Sequence, residues 1–217
     1  MITLFYSYVS KYSAHFLNNK LSLFPQAIQN VIKKYVAEND RNARILSKLL
    51  LVEGLSNFFP NEKIDLALLQ IAGKQVYKNL PIHFSASHSE DLVVVAFSTH
   101  EQIGIDIEFK KNIDTNIFKD FLHVNEQKSM EQSSSKTALF YALWTKKEAL
   151  TKSTGVGING DLKMIDCSGD KTNFNNQTYF FKEILLDDNY SCYAASTQQR
   201  IILNCKEISF DYNNHFS

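Results

Sequence analysis

The segment IGIDIEF (103–109) alternates without a break. Residues two apart on a strand share a face, so Asp106 and Glu108 project side by side with Gly104. Ile103, Ile105, Ile107 and Phe109 point the other way. Like charges this close raise each other's pKa unless something positive lies between them. A hard cation such as Mg²⁺, held by carboxylates and substrate phosphates, relieves that repulsion. The plain alternative is the solvated outer face of an edge strand.

A second set lies in ALWTKKEALTKSTGVGI (142–158). Trp144, Glu148 and Lys152 recur every fourth residue and fall near one helix face. A Glu–Lys pair at that spacing stabilises any exposed helix, and Trp144 could simply be core. Lys146, Lys147 and Lys152 add positive charge, and Gly155 and Gly157 follow closely. That composition suits contact with an anion. A basic helix C-terminus is also favoured by the helix dipole.

Ser87-His88-Ser89 is expected in a short polar break before an apolar run. Small hydroxyls, an imidazole and backbone N–H groups in a turn could cradle a phosphate. A polar turn that satisfies itself is the alternative. Arg44 suits forked recognition of phosphate, with Lys33, Lys34 and Arg41 upstream. A solvated helix face explains the same residues. His15, His83, His100, His123 and His215 show no metal-ligand spacing and are expected to be ordinary. No G-x-S-x-G, G-x-x-x-x-G-K-[ST] or G-x-G-x-x-G motif is present.

Elements must hold these residues. A strand is expected over 2–9 and helices over 26–36 and 40–58, the second with Asp40 as N-cap. Residues 64–72 fit helix and strand equally. The continuous apolar run Leu92–Phe97 predicts a strand over 92–98 buried on both faces. Helical segments are expected over 114–122, 124–131 and 134–154, with Gly155 as the stop. Strands are expected over 162–167, 177–186, 190–196 and 201–210. This order predicts an α+β protein of two similar halves, 1–100 and 101–217.

The 217 residues allow one large or two small domains. With 44% hydrophobic residues there is material for a core, which excludes whole-chain disorder. Lys+Arg and Asp+Glu are both 23, so bulk attraction to nucleic acid or an anionic membrane is not expected. Cys167, Cys192 and Cys205 fit neither a disulfide framework nor a zinc site. No basic and apolar leader opens the sequence, and no apolar run could span a bilayer. A cytoplasmic location, with no membrane, is the expectation.

Together, FSASHSEDLVVVAF (84–97), IGIDIEF (103–109) and ALWTKKEALTKSTGVGI (142–158) resemble the three signature blocks of the 4′-phosphopantetheinyl transferases. The length and two-half layout are similar to the larger monomeric type, which serves surfactin-like synthetases. The resemblance implies two α/β-sandwich-like halves related by pseudo-twofold symmetry, with antiparallel sheets packed against helices. It implies CoA and a metal in a cleft between the halves. It implies transfer of the phosphopantetheine arm of coenzyme A to a serine of an apo acyl or peptidyl carrier protein, releasing 3′,5′-ADP.

Carried over by residue, Asp106, Glu108 and Glu148 would ligate Mg²⁺, with Mn²⁺ as an alternative. Lys152 would neutralise the pyrophosphate. Arg44, Ser87 and His88 would hold CoA phosphates, and Gly73-Lys74 would lie along the nucleotide. Lys33 and Lys34 are added for the 3′-phosphate. Glu148 is the first choice of general base and Glu126 the second. The first half would contact CoA, and the second would carry the carboxylates and the catalytic helix. A monomer is expected.

Two other readings compete. One is a catalytically silent module that binds CoA or a carrier protein. The other is a metal-dependent nuclease using Asp91, Glu108 and Lys110, with E-x-K at a strand end.

Overall fold

The computed structural model describes residues 1–66, 81–100, 102–155 and 162–211. The chain is α+β and divides into two compact units. The first joins Met1–Thr99 to the chain from Leu203 onward, and the second is His100–Ile202. The units divide between Thr99 and His100, and the chain beyond Ile202 returns to the first unit. Among the described residues, no helix is long and apolar enough to cross a membrane.

The first unit contains β1 (Ile2–Tyr8), α1 (Ala14–Leu21), α2 (Gln26–Lys33), α3 (Glu38–Phe58), β2 (His83–Ser89) and β3 (Leu92–Ser98). Its sheet runs β2-β3-β1 and ends on a strand from the chain's far end, Leu203–Glu207. That strand pairs parallel with β1, whereas β1–β3 and β2–β3 are antiparallel. The interior position of β3 explains its unbroken apolar run, and every one of its residues is buried.

Helix α3 packs on this sheet through Ile45, Leu46, Leu49, Leu50 and Leu55, which join Phe5, Val93, Val95 and Phe97 in one core. Each fully buried leucine contributes roughly 1.5–3 kcal/mol. Gly54 permits the close approach: a Cβ there would stand 2.0 Å from the Phe97 ring.

The expected turn at Ser87-His88-Ser89 is instead the end of strand β2. Its residues pair with Val94, Val93 and Leu92. The actual turn is the residue pair that follows, with Glu90 at φ 50°. Tertiary pairing overrides the loop-like composition of HFSASHS. The N-cap of α3 is Ala37 rather than Asp40, which lies in the helix's first turn. Helix α1 lies outside the expected helices and is capped by Ser13, which accepts from the Phe16 N–H at 3.1 Å.

The second unit contains β4 (Ile103–Phe109), α4 (Val124–Gln132), α5 (Lys136–Thr154), β5 (Lys171–Phe174), β6 (Gln177–Glu183) and β7 (Tyr190–Ser196). The strand returned to the first unit is therefore β8. The order is β4-β7-β6-β5, antiparallel throughout. Asn175 and Asn176, both with positive φ, make the tight turn between β5 and β6. Helix α5 packs on β4 and β7, and its Ala149 and Leu150 join Tyr179, Phe181 and Ala195 in a core. It stops at Gly155, φ 67°, a left-handed conformation that glycine adopts at no steric cost. Residues 115–121 form a 3-10 helix, as do 162–164, where a strand was expected.

Candidate active site

In the second unit, the site begins with a missing side chain. A Cβ on Gly104 would lie 1.8 Å from the Ala149 carbonyl oxygen and 2.5 Å from the Ser153 nitrogen. Helix α5 therefore rides directly on the backbone of β4. By strand alternation, the Gly104 face is also the face of Asp106 and Glu108. Along α5, Glu148 and Lys152 flank the contact residues Ala149 and Ser153. Close packing thus brings two residues of the helix toward the carboxylates of the strand.

Lys152 Nζ donates to Asp106 Oδ1 at 2.7 Å. Asp106 is 3% exposed, so this bond compensates a carboxylate withdrawn from water. Glu148 lies near both. Burial pushes its pKa up, the Asp106 charge pushes it further, and Lys152 opposes them. Asp106 and Glu148 are carboxylates whose charges interact, and Glu108 shares the face of Asp106. That donor chemistry fits a hard cation. Among the described residues, no three His, Cys, Asp or Glu side chains form a ready metal cage. Mg²⁺ typically takes one or two carboxylates plus substrate phosphates, so the residues present fit such an ion when substrate completes its shell.

The neighbouring residues behave differently from the sequence expectation. Lys147 is fully buried, donates to the Leu162 carbonyl at 2.8 Å and to the Ile165 carbonyl, and pairs with Glu126 at 3.0 Å. Lys146 donates to the carbonyls of Cys167 and Gly169 and lies over the rings of Phe181 and Tyr193. These two lysines anchor 162–169 to α5 rather than forming an anion-binding surface with Lys152.

Glu126 is also fully buried. Its Oε2 accepts from the His123 N–H at 2.8 Å, closing a capping box at the start of α4, and its Oε1 accepts from the Cys167 N–H at 2.7 Å. Both oxygens serve the fold, a poor arrangement for taking a substrate proton. Trp144 packs with Phe118, Phe121 and Phe140.

In the first unit, a cluster gathers His88, Arg44 and Asp40, which local chemistry suggests as a helix cap. Asp40 Oδ1 pairs with His88 Nε2 at 3.0 Å and accepts from Arg44 Nε at 3.2 Å. Burial raises the Asp40 pKa, but these two partners outweigh it and hold the carboxyl below its ordinary value. The Arg44 guanidinium stacks over Tyr35 at 3.6 Å. The i, i+4 spacing of Asp40 and Arg44 was the available signal for their pairing.

Ser87 is buried in β2. Lys33 ends α2 and Lys34 caps it, both exposed, with Lys33 donating to Gln29. Gly73 and Lys74 lie outside the described residues, as do Gly157 and His215. Asp91 accepts from the Ser10 N–H and from the Ser10 hydroxyl, so its carboxylate fastens the turn after β1.

The model of the 4′-phosphopantetheinyl transferase superfamily matches residues 102–205. The chain is 33% identical to the 4′-phosphopantetheinyl transferase gsp of Aneurinibacillus migulanus, over 69% of this chain and 62% of the relative. It is 31% identical to the 4′-phosphopantetheinyl transferase Sfp of Bacillus subtilis, over 58% of each. It is 28% identical to the L-aminoadipate-semialdehyde dehydrogenase-phosphopantetheinyl transferase of Candida glabrata, over 68% of this chain and 61% of the relative. The chain thus spans about three fifths of the length of these curated relatives. The matched region contains β4, α4 and α5, and with them the face where Lys152 meets Asp106. The region that carries this face thus matches the 4′-phosphopantetheinyl transferase superfamily.

Proposed function

We propose that this protein transfers the 4′-phosphopantetheine arm of coenzyme A to a serine of an apo acyl or peptidyl carrier protein, releasing 3′,5′-ADP. The observation that carries the reading is the buried Asp106 carboxylate, held by Lys152 and electrostatically coupled to Glu148 on the matched segment.

The serine Oγ attacks the phosphorus that bears the pantetheine arm. The bond from that phosphorus to the bridging oxygen breaks, and 3′,5′-ADP leaves. Such transfers depend on positioning and charge neutralisation more than on covalent help. Glu148 takes the serine proton. In the metal-free protein burial and the neighbouring Asp106 charge raise its pKa, the direction that strengthens a base. Lys152 neutralises charge on the leaving phosphate. Asp106, Glu108 and Glu148 would hold Mg²⁺, with Mn²⁺ as an alternative. The ion supplies charge neutralisation at the pyrophosphate.

Arg44, Ser87 and His88 hold CoA phosphates, with Lys33, Lys34, Gly73 and Lys74 as further nucleotide contacts. The first unit thus contributes CoA contacts, and the second contributes the carboxylates and the catalytic helix. Glu126 has no proton-transfer role in this proposal. The enzyme acts as a cytoplasmic monomer, without nucleic acid or membrane.

Intact mass spectrometry of an apo carrier protein incubated with CoA and Mg²⁺ tests this reading. A gain of about 340 Da, the mass of the carried arm, that disappears with EDTA supports it. CoA binding without any gain across fatty-acid, polyketide and peptide carriers would instead identify a silent binding module.

A further inference from the structure

We propose that Asp40 is a positioning residue for coenzyme A, holding His88 and Arg44 in the orientation that receives a phosphate. The inference rests on the proposed function, and adds a residue that touches no substrate itself.

The geometry has three parts. First, one carboxylate oxygen serves both side chains: His88 Nε2 at 3.0 Å and Arg44 Nε at 3.2 Å. Asp40 therefore binds the guanidinium along its Nε edge and leaves its Nη groups for a forked contact with phosphate. Second, Tyr35 supports the guanidinium face at 3.6 Å, so edge and face are both fixed. Third, Asn39 Nδ2 donates to the Glu90 carbonyl at 3.1 Å. This bond ties the first turn of α3 to the turn that directly follows the His88 strand. Asp40 and His88 are thereby held together by backbone anchoring as well as by their own bond.

The charges favour the same role. His88 and Arg44 come from different elements, β2 and α3. A carboxylate that engages both side chains reduces the rotamers each can adopt before the ligand arrives, and its charge offsets that of the Arg44 guanidinium. A ligating histidine commonly gives its other ring nitrogen to a carboxylate for the same purpose at metal sites. The competing account is structural. Asp40 is an acidic residue in the first turn of a helix, where any carboxylate favours the dipole. Glu38 occupies the same turn and is the natural control.

The test is steady-state kinetics of transfer to an apo carrier protein, with CoA and carrier varied separately. Asp40→Ala should raise the KM for CoA about tenfold, in line with losses of outer-shell partners elsewhere, while kcat and the KM for carrier stay unchanged. Asp40→Asn keeps an acceptor oxygen and should recover most of that loss. Glu38→Ala should leave the KM for CoA at the wild-type value. In an Arg44→Ala, His88→Ala background, Asp40→Ala should cause no further rise, because the groups it acts through are gone.

Circular dichroism confirms folding, and if Asp40→Ala does not fold, Asp40→Asn carries the comparison through a smaller rise in the same KM. A wild-type KM for CoA in the folded Asp40 variant, or an equal rise in the Arg44→Ala, His88→Ala background, overturns the positioning role and leaves the transferase reading standing. A wild-type protein that neither transfers the arm nor binds CoA overturns the transferase reading, and this proposal with it.

Discussion

Lys152 and Asp106 meet across the α5–β4 interface at 2.7 Å, and the residue that lets them meet is Gly104. Strand and helix each present a side chain that is costly to bury alone. Their pairing follows from the absence of a third side chain.

Gly104→Ala should therefore act on catalysis through packing. The added Cβ would lie 1.8 Å from a backbone oxygen of α5, which cannot swing aside as a side chain can. The helix must shift, at a cost of about 1–3 kcal/mol in stability. A displacement near 1 Å at the carboxylates lowers kcat/KM by roughly a hundredfold. Thermal melts and transfer kinetics on the same preparation check both effects.

Glu148→Gln should stabilise the metal-free protein at neutral pH. The folded-state pKa of Glu148 lies above the ordinary value of 4.5, chiefly through burial and then through Asp106. The folded state thus binds the proton more tightly than the unfolded state. Stability falls as pH rises from 4.5 and levels off above the raised folded pKa. Glutamine removes that penalty. The melting temperature should rise at pH 7, and the difference should vanish below pH 4.5. Calorimetry in EDTA measures it.

Lys147 and Glu126 form a fully buried pair whose remaining groups serve backbone partners. Removing one member leaves an uncompensated charge. Glu126→Ala should cost about 3–5 kcal/mol of stability, read by urea unfolding. At a temperature where the variant stays folded, its pH–rate profile should keep the wild-type acid limb. Loss of that limb would return Glu126 to the list of general bases.

Asp106, Glu108, Glu148 and Lys152 were legible because each obeys a local period, two on the strand and near four on the helix. Their meeting was not legible. It depends on which helix covers the Gly104 face, a long-range fact. The same limit explains Lys146 and Lys147. Three lysines within seven residues suggest an anion surface, but the carbonyls that engage two of them come from 162–169. His88 lies on a strand rather than in a turn, although a strand of Ser, Ala and His has the composition of a turn. Its partner β3 supplies the order. Asp40 was read for its local capping chemistry, whereas its partner His88 lies 48 residues away. The α+β class, β3, β4 and the span of α5 followed directly from periodicity and from Gly155.

Thiol reactivity offers a further check on the second unit. Burial pushes the Cys167 thiol up to about 12. At pH 8 only about one molecule in ten thousand would carry its thiolate. Cys192 is buried too, whereas Cys205 is exposed on β8. Iodoacetamide at pH 8 should modify Cys205 first, and Cys167 only after unfolding. Peptide mapping identifies the order.

The central claim is that the face shared by β4 and α5 performs the transfer. The most direct measurement pairs intact-mass transfer to an apo carrier protein with calorimetric CoA binding, for wild-type protein and Glu148→Gln. The account predicts a phosphopantetheine mass gain for the wild type. It predicts that Glu148→Gln remains folded and retains CoA binding, with a rate lowered by at least about a hundredfold. Transfer by Glu148→Gln at the wild-type rate would contradict it.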